Sequence, residues 1–318
     1  KHVLETTLEE NLRMIRDSVS FLKSHNLLVF VDIEHAFDGF KNNPSYTLDV
    51  LKTAASTGAM CLVLCDTNGG ALPDEVSIMV KKACETVPTA IGIHAHNDSE
   101  LGVANSLAAV KAGARHVEGT INGYGERCGN ANLCSIIPAL KLKMGIECVS
   151  DTQLARLTEV SHFVSEAANL SPDAFMPYVG ASAFSHKAGL HVSGMSKWGL
   201  SYQHVDPVLV GNKTRTLISE LSGRSNIIYR ASEIGVPLPP KGKEARQLLE
   251  QVKDLESRGF QYENAEASFD LLLHRAMPGY KSPFELVDFM VLVEKRRRSP
   301  TNNTEEDILS EGMVKVKV

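Results

Sequence analysis

The chain has 318 residues, of which 43% are hydrophobic and 22% are charged, and its formal net charge is −5. This composition is typical of a globular protein that buries a core without disulfide bonds. The acidic balance gives no reason to expect a nucleic-acid partner, and the one basic run, 295–298, is expected to be a solvated linker. No apolar run approaches the roughly 20 residues that a membrane span needs, so we predict no membrane partner.

The six cysteines show no paired spacing of the kind that metal sites use. Several lie within apolar runs, where a small buried thiol is the usual state. Cys65 stands beside Asp66, but we expect it to be a buried structural residue rather than a nucleophile. Unpaired thiols indicate a reducing compartment, so we predict a cytoplasmic protein.

A helix is predicted ahead of the first strand, over residues 6–23. Thr7 and Glu10 have the spacing of a capping box, and apolar residues recur along one face from Leu8 to Leu22.

Four apolar, β-branched runs alternate with segments of helical period. The runs are residues 27–33, 60–66, 90–96 and 115–121. This alternation is typical of the βα repeat of a parallel sheet. No strand is followed by the G-x-G-x-x-G turn of a dinucleotide-binding fold, which favours a (β/α)8 barrel over a doubly wound sheet. We predict that residues 1–150 are a partial TIM-barrel catalytic domain of about four βα units, the C-terminal half of such a barrel.

The pattern changes after residue 150. Residues 151–295 read as helices separated by loops rich in Gly and Pro, and we predict helical linker subdomains there. Residues 296–318 read as a charged connector and the start of a truncated regulatory domain. The alternating MVKVKV at 313–318 predicts a strand that has no partner left in the chain.

The third predicted strand carries His94 and His96. Because residues two apart in a strand project to the same side, both imidazoles are expected at one face. At the carboxyl end of a barrel strand that face meets the mouth where active sites gather, and two imidazoles there can share one cation. The alternative is a hydrogen-bonded pair within a packed layer. The other strands also end in polar residues: Asp32, Glu34, Asp66, Thr67, Glu118 and Asn122.

A glycine-rich loop, GYGERCGNANL at 123–133, follows the fourth predicted strand. Its glycines would let the backbone approach a bound ligand, and Glu126, Arg127 and Asn130 would supply polar groups. The simpler interpretation is an ordinary turn before a helix.

These segments also resemble a known family. HAHNDSELGVANSLAAVKAGARHVEGTINGYGERCGNANL, residues 94–133, resembles a signature region of the isopropylmalate, homocitrate and citramalate synthases, which are metal-dependent TIM-barrel acyltransferases. The segments 32–54 and 62–76 resemble most closely the members that use pyruvate. FSHKAGLHVSGM at 184–195 and YQHVDPVLVGN at 202–212 resemble the helical subdomain that follows the barrel.

The resemblance implies a Claisen-type condensation of acetyl-CoA with pyruvate that gives citramalate and CoA for isoleucine biosynthesis. The alternatives are a 2-isopropylmalate synthase that uses 2-oxoisovalerate, an aldolase or lyase of the same barrel group, and an inactive truncated half-barrel. A divalent metal ion, Mn, Mg or Zn, is implied as cofactor.

The resemblance also implies roles for individual residues. His94, His96 and Asn130 correspond to metal ligands. Thr67 and Asn97 correspond to substrate-binding positions, with the Thr67 hydroxyl on the carboxylate of the keto acid.

Three further positions correspond to catalytic residues. Glu34 lies where a strand-end glutamate enters the acyl-group or acetyl-CoA pocket, and His191 and Tyr202 correspond to residues that enter the active site of the neighbouring subunit. A homodimer with subdomain exchange is therefore expected. Lys187 is as consistent with contact to the CoA phosphates as with a solvated side chain.

One departure from the family is evident. Its members begin with a strand that bears an Arg-Asp pair, in which the acidic residue completes the metal site and the arginine steadies the enolate. Nothing in this sequence matches that strand. We therefore expect the first half of the barrel, with these two groups, to be absent from this sequence.

Overall fold

A computed structural model describes residues 5–186, 189–216, 223–236, 238, 243–262, 265–277, 279–295 and 308–318. The described residues form two compact units. The first comprises residues up to 185 together with 198–215, and the second comprises 186–197 and the described residues from 216 onward. No helix in these ranges is long and apolar enough to cross a membrane.

The first unit is built on a parallel sheet of four strands in the order β1-β2-β3-β4. The strands are β1 (Phe30–Ile33), β2 (Cys61–Asp66), β3 (Ala90–Ala95) and β4 (His116–Glu118). The helices are α1 (Leu8–Ser24), α2 (Ala36–Asn42), α3 (Pro44–Ser56), α4 (Pro73–Thr86), α5 (Gly102–Ala112) and α6 (Leu133–Pro138), which continues into a wider turn over Ala139–Lys143. Each strand falls inside its predicted run, so the predicted α/β class with successive parallel βα units of a TIM barrel is confirmed.

The two faces of the sheet differ. Strand alternation places Ile33, Leu64 and Ile93 on one face, where all three are buried in a core formed with the helices. The opposite face carries polar groups at matching heights, because the register aligns Cys65 with His94 and His94 with Glu118. The sheet therefore has a packing face and a chemical face.

Local sequence explains where the helices begin. The Thr7 hydroxyl accepts a hydrogen bond from the Glu10 backbone N–H at 3.1 Å, and the Glu10 carboxylate pairs with Arg13 at 2.7 Å. The predicted helix is thus confirmed with the Thr7 half of the capping box. Asn43 caps α3 in the same way, and Pro44 occupies its first turn, where no backbone N–H is needed.

A smaller apolar cluster completes the first unit. The predicted helical stretch after residue 150 forms two helices, α7 (Asp151–Leu154) and α8 (Leu157–Ala167). Short 3-10 turns lie at Ile121–Gly123, Gly199–Ser201 and Pro207–Val210. The chain leaves the first unit at Ser185 and at Arg215, within the paired strands β5 (Ser185–His186) and β6 (Arg215–Thr216). The buried members of this cluster are Cys134, Leu154, Leu157, Tyr178, Val179, Phe184, Val205 and Val210.

The second unit contains helices α9 (Gly189–Lys197), α10 (Arg224–Glu233), α11 (Glu244–Ser257) and α12 (Glu266–Ala276). The last three share a core that includes the fully buried side chains of Ile227, Leu248 and Phe269. These helices confirm the helical pattern predicted over most of 219–277.

Two strands at the end of the second unit correct the sequence prediction. β7 (Glu285–Lys295) and β8 (Ile308–Lys317) pair antiparallel, with Phe289 opposite Val314. The prediction that 313–318 has no strand partner in the chain is wrong, as is the prediction of helices alone up to 295. The signal for the partner was present, because LVDFMVLV at 286–293 is an apolar run of the kind that predicts the strands of the first unit. The predicted domain boundaries at 150 and 295 stay predictions, and 296–307 lie outside the described residues.

Leu64 provides a test of the packing face. Its side chain is fully buried in β2, so Leu64→Ala should lower the free energy of unfolding by about 2–5 kcal/mol through lost burial and a cavity. Ile78→Ala is the control, since Ile78 is 62% exposed on α4 and its truncation should cost no more than about 0.5 kcal/mol. Urea unfolding followed by circular dichroism measures both. Equal effects would show that the packing face is not where the core lies.

Candidate metal centre and active site

His94 and His96 lie side by side at the carboxyl end of β3. His94 is inside the strand and His96 directly follows it, and their ring centroids are 5.2 Å apart. Both side chains are partly buried. Burial lowers the pKa of His96, and the neighbouring His94 and Arg127 lower it further. A neutral imidazole is the form that binds a metal ion.

Asn130 meets both histidines from the loop after β4. Its backbone pairs with His96 in an antiparallel bridge, and its Oδ1 lies 3.0 Å from Nε2 of His94. The Asn130 Nδ2 donates to the carbonyl of Tyr124 at 3.4 Å, which sets the side of the amide that faces His94. The structure thus brings together all three predicted metal-binding residues.

Two glycines of this loop make room for neighbouring protein atoms. A Cβ on Gly125 would overlap the side-chain amide of Asn130, and a Cβ on Gly129, whose φ is +92°, would overlap the carbonyl of Gly123. The loop folds tightly on itself because these positions lack a side chain. The predicted close approach of this backbone to a ligand stays a prediction, and the structure shows in addition a close approach of Gly125 to Asn130.

A carboxylate supports His94 from the neighbouring strand. Glu118 Oε2 lies 2.8 Å from His94 Nδ1, and Glu118 Oε1 lies 3.2 Å from His116 Nε2. Sequence reasoning counted Glu118 only as a polar strand end and did not consider His116. The available signal was spacing, because His116 and Glu118 are two apart in β4 and so share a face with each other.

The donor atoms fit a divalent cation. With Nδ1–H directed at Glu118, a neutral His94 presents the lone pair of Nε2 to Asn130 Oδ1, which is itself an acceptor. Their 3.0 Å separation equals the spacing of about 3.0 Å between adjacent ligands of an octahedral ion with bonds near 2.1 Å. Nδ1 of His96 is buried and has no hydrogen-bond partner within the described part of the chain.

The donor set is small. Across the described ranges, no group of three or more His, Cys, Asp or Glu side chains could hold a metal ion. The candidate ligands are therefore two imidazoles and one amide oxygen, which leaves coordination positions for water or for substrate oxygens.

Thr67 is fixed at the end of β2 by two neighbouring loops. Its hydroxyl oxygen accepts from the His35 backbone N–H at 2.8 Å, and its carbonyl accepts from Arg127 at 2.7 Å. The same guanidinium donates to both oxygens of Asp98, at 2.7 and 3.0 Å, and this pairing lowers the pKa of Asp98. Arg127 therefore joins the loops that follow β2, β3 and β4.

Two of the polar strand-end residues have structural roles. The buried carboxylate of Asp66 accepts from the Ala71 backbone N–H at 3.2 Å and from the Asn105 amide at 3.3 Å. Asn122 is buried and donates to the carbonyl of Ser161 at 2.8 Å, which anchors its loop on α8. Burial raises the pKa of Asp66, and these contacts show that its carboxylate faces the protein interior.

The other predicted substrate and catalytic positions are exposed to different extents. Asn97 is partly buried, and its Oδ1 accepts from the Gly102 backbone N–H at 3.1 Å at the start of α5. Glu34 is exposed immediately after β1. Tyr202 is 46% exposed after the turn at Gly199–Ser201, in the first unit.

His191 belongs to the second unit, on helix α9, and its side chain is partly buried. It contributes to lowering the pKa of His186, after burial, which is the larger cause. Lys187 lies outside the described residues.

Cysteine chemistry tests the burial of the chemical face. Burial, with smaller contributions from the nearby Asp32 and Glu34, raises the pKa of Cys65 to about 12, so this thiol should resist alkylation. Cys84, Cys128 and Cys148 are exposed, whereas Cys61, Cys65 and Cys134 are buried. Mass spectrometry after iodoacetamide treatment of the native protein should find the three exposed cysteines modified, and all six should react after denaturation. Rapid modification of Cys65 in the native protein would contradict the predicted structural role.

The sequence matches two family profiles. The HMGL-like profile covers residues 1–164, and the profile described as homocitrate synthase post-HMGL domain-like covers residues 178–259. The first match spans the sheet with its histidines, and the second covers α9 to α11.

The curated proteins similar to this chain include the following three. It is 50% identical over 315 residues to (R)-citramalate synthase of Geobacter sulfurreducens, which covers 99% of the chain and 58% of that protein. It is 49% identical to (R)-citramalate synthase of Aquifex aeolicus, covering 98% of the chain and 59% of the relative. It is 35% identical to 2-isopropylmalate synthase of Sulfolobus acidocaldarius, covering 84% of the chain and 68% of that protein.

The chain spans less than two thirds of the length of the first two relatives. The HMGL-like profile nevertheless matches more than half of its 318 residues, and the third relative is matched over more than two thirds of its own length. The chain belongs to the HMGL-like family.

Proposed function

We propose that this chain carries the active site of a citramalate synthase, an acyltransferase that condenses acetyl-CoA with pyruvate to give citramalate and CoA in isoleucine biosynthesis. The observation that carries the proposal is the cluster of His94, His96 and Asn130 at the carboxyl end of β3. The proposal is also supported by the 50% identity of the chain to a protein named (R)-citramalate synthase. The 2-isopropylmalate synthase it matches is only 35% identical, which favours pyruvate over 2-oxoisovalerate.

His94, His96 and Asn130 would hold a divalent ion, Mn, Mg or Zn, since imidazole nitrogens and an amide oxygen suit each of these ions. When bound, such an ion supplies Lewis acidity to the keto carbonyl of the substrate. The lowered pKa of His96 supports this role because it keeps the imidazole neutral.

Thr67 and Asn97 would bind the carboxylate of pyruvate. The Thr67 hydroxyl oxygen already accepts from the His35 N–H, so its proton is directed away from that bond and can be donated to the substrate. The Asn97 Oδ1 is used by Gly102, which leaves the amide Nδ2 as the donor for an anionic substrate.

The remaining chemistry requires a base and an anion-stabilising group. The acetyl-CoA methyl is a weak carbon acid, so its proton must be removed while charge on the enolate oxygen is stabilised. We assign these tasks to Glu34, His191 and Tyr202. Glu34 is next to His35, whose backbone bond to Thr67 brings the ends of β1 and β2 together. Attack of the enolate on the keto carbon and hydrolysis of the thioester then release CoA.

The first test is turnover with a thiol reagent. With the expected N-terminal half of the barrel restored and with Mn2+, acetyl-CoA and pyruvate supplied, the protein should release CoA. His94→Ala or His96→Ala should then lower kcat/KM at least about 100-fold because metal polarisation is worth several kcal/mol. Cys84→Ser, at an exposed site on α4, is the control and should leave the rate unchanged.

Substrate choice separates the alternatives. Pyruvate should give the larger kcat/KM, by about 10- to 200-fold over 2-oxoisovalerate, because extra methyl groups in a closed pocket change binding by about 1–3 kcal/mol. A larger value for 2-oxoisovalerate would reassign the enzyme to isopropylmalate synthesis. Cleavage of a hydroxy-acyl-CoA without condensation would indicate a lyase.

A second test concerns the predicted homodimer. If His191 and Tyr202 act in the site of the neighbouring subunit, mixing inactive His96→Ala and His191→Ala proteins should restore activity, because one site of each mixed dimer is then intact. Mixing His191→Ala with Tyr202→Ala should restore none, since both changes then affect the same borrowed surface. Failure of the first mixture to recover activity would place all catalytic groups in one chain.

A further inference from the structure

Glu118 is the one carboxylate, within the described residues, that bonds to a predicted metal-binding histidine. It lies at the end of β4, directly beside His94 in the parallel register. Its two oxygens are used separately, with Oε2 at 2.8 Å from His94 Nδ1 and Oε1 at 3.2 Å from His116 Nε2. The side chains of His94 and Glu118 are each 28% exposed, so water competes only partly with the hydrogen bond between them.

Neighbouring residues hold the Glu118 carboxylate in place. His116 precedes it by two residues on the same face, and its ring lies 5.1 Å from the ring of Phe30. On β3, the residue opposite His116 is Gly92, where a Cβ would come within 3.1 Å of the His116 ring. The missing side chain therefore leaves space in which His116 reaches Glu118.

His94 has a hydrogen-bond acceptor beside each ring nitrogen, and the two acceptors favour different neutral tautomers. If Nε2 carried the proton, His94 would donate to the neutral amide oxygen of Asn130 at 3.0 Å, and the position proposed for the cation would be closed. If Nδ1 carries it, His94 donates to the Glu118 carboxylate at 2.8 Å. A hydrogen bond to an ionised acceptor is roughly twice as strong as one to a neutral acceptor. The Glu118 carboxylate therefore favours the Nδ1–H tautomer of His94.

We propose that Glu118 is a positioning residue, braced by His116, that holds the His94 imidazole in the Nδ1–H tautomer and so keeps Nε2 open toward Asn130 for a divalent cation. This role rests on the proposed function only because it assumes that a divalent cation binds at Nε2. The tautomer itself is a property of the protein without metal. A carboxylate behind a metal-binding histidine fixes the ring and raises the basicity of its donor nitrogen, and its loss typically lowers metal affinity by about 10- to 100-fold.

The tautomer is measured first, on the metal-free protein. Nitrogen NMR of protein labelled with 15N-histidine, above the usual titration range of histidine, should show His94 as the Nδ1–H form, with its signals assigned by their loss in His94→Asn. Glu118→Gln should move His94 toward the Nε2–H form. Wild-type His94 in the Nε2–H form would overturn the proposal.

Metal affinity is the second readout, with Mn2+ binding followed by electron paramagnetic resonance. Glu118→Gln should weaken Mn2+ binding about 10- to 100-fold, and His116→Gln, which removes only the brace, should weaken it by less. Asp32→Asn is the matched control. It removes a carboxylate near Glu118 that makes no hydrogen bond to His94, and it should change the affinity less than Glu118→Gln does.

The outcomes separate this inference from the proposed function. Mn2+ binding that is unchanged in Glu118→Gln, or weakened equally in Asp32→Asn, would overturn the positioning role while leaving the metal site intact. A wild-type protein that binds no Mn2+ but shows the expected tautomer and its change in Glu118→Gln would refute a metal site formed by this chain alone and uphold the positioning of the His94 proton. If Glu118→Gln fails to fold by circular dichroism, the wild-type tautomer and His116→Gln still decide the question.

Discussion

The side chains of β1 to β4 alternate between two environments, and this alternation in a fixed parallel register is the constraint on which the site depends. Because Ile33, Leu64 and Ile93 are buried under the helices, the residues next to them in each strand must point to the opposite face of the sheet. A slip of one residue would expose the apolar set and bury the charged one. The free energy that packs the core therefore also aligns His94 with Glu118.

Charge then decides what the aligned groups do. Glu118 is a carboxylate beside His94, whereas Asn130 offers a neutral amide oxygen on the other side of the same ring. The difference in strength between these two acceptors orients the proton without any change in backbone structure. The partly buried setting matters because solvent would reduce that difference.

The loops hold the chemical groups through backbone geometry that most residues avoid. His35, Asn122 and Arg127 have φ values of +53°, +65° and +55°, in the left-handed region. Such conformations persist where surrounding contacts over-determine them, and here each residue is fixed by bonds to another loop or helix. Arg127 bonds Asp98 and Thr67, and the loop residue Asn122 bonds Ser161 on α8.

The sequence by itself predicted the strands of the first unit, most of its helices, and the polar residues at the strand ends. Hydrophobic period predicted β1 to β4 and α1, and the spacing of His94 and His96 predicted a shared face, because these signals are local. Only the tertiary structure decided the rest, because pairing is set by contacts between distant residues. The structure shows that Asp66 and Asn122 make structural hydrogen bonds, that Glu118 lies between two histidines, and that Gly125 packs against Asn130. It also pairs β8 with β7, a contact that neither segment specifies alone.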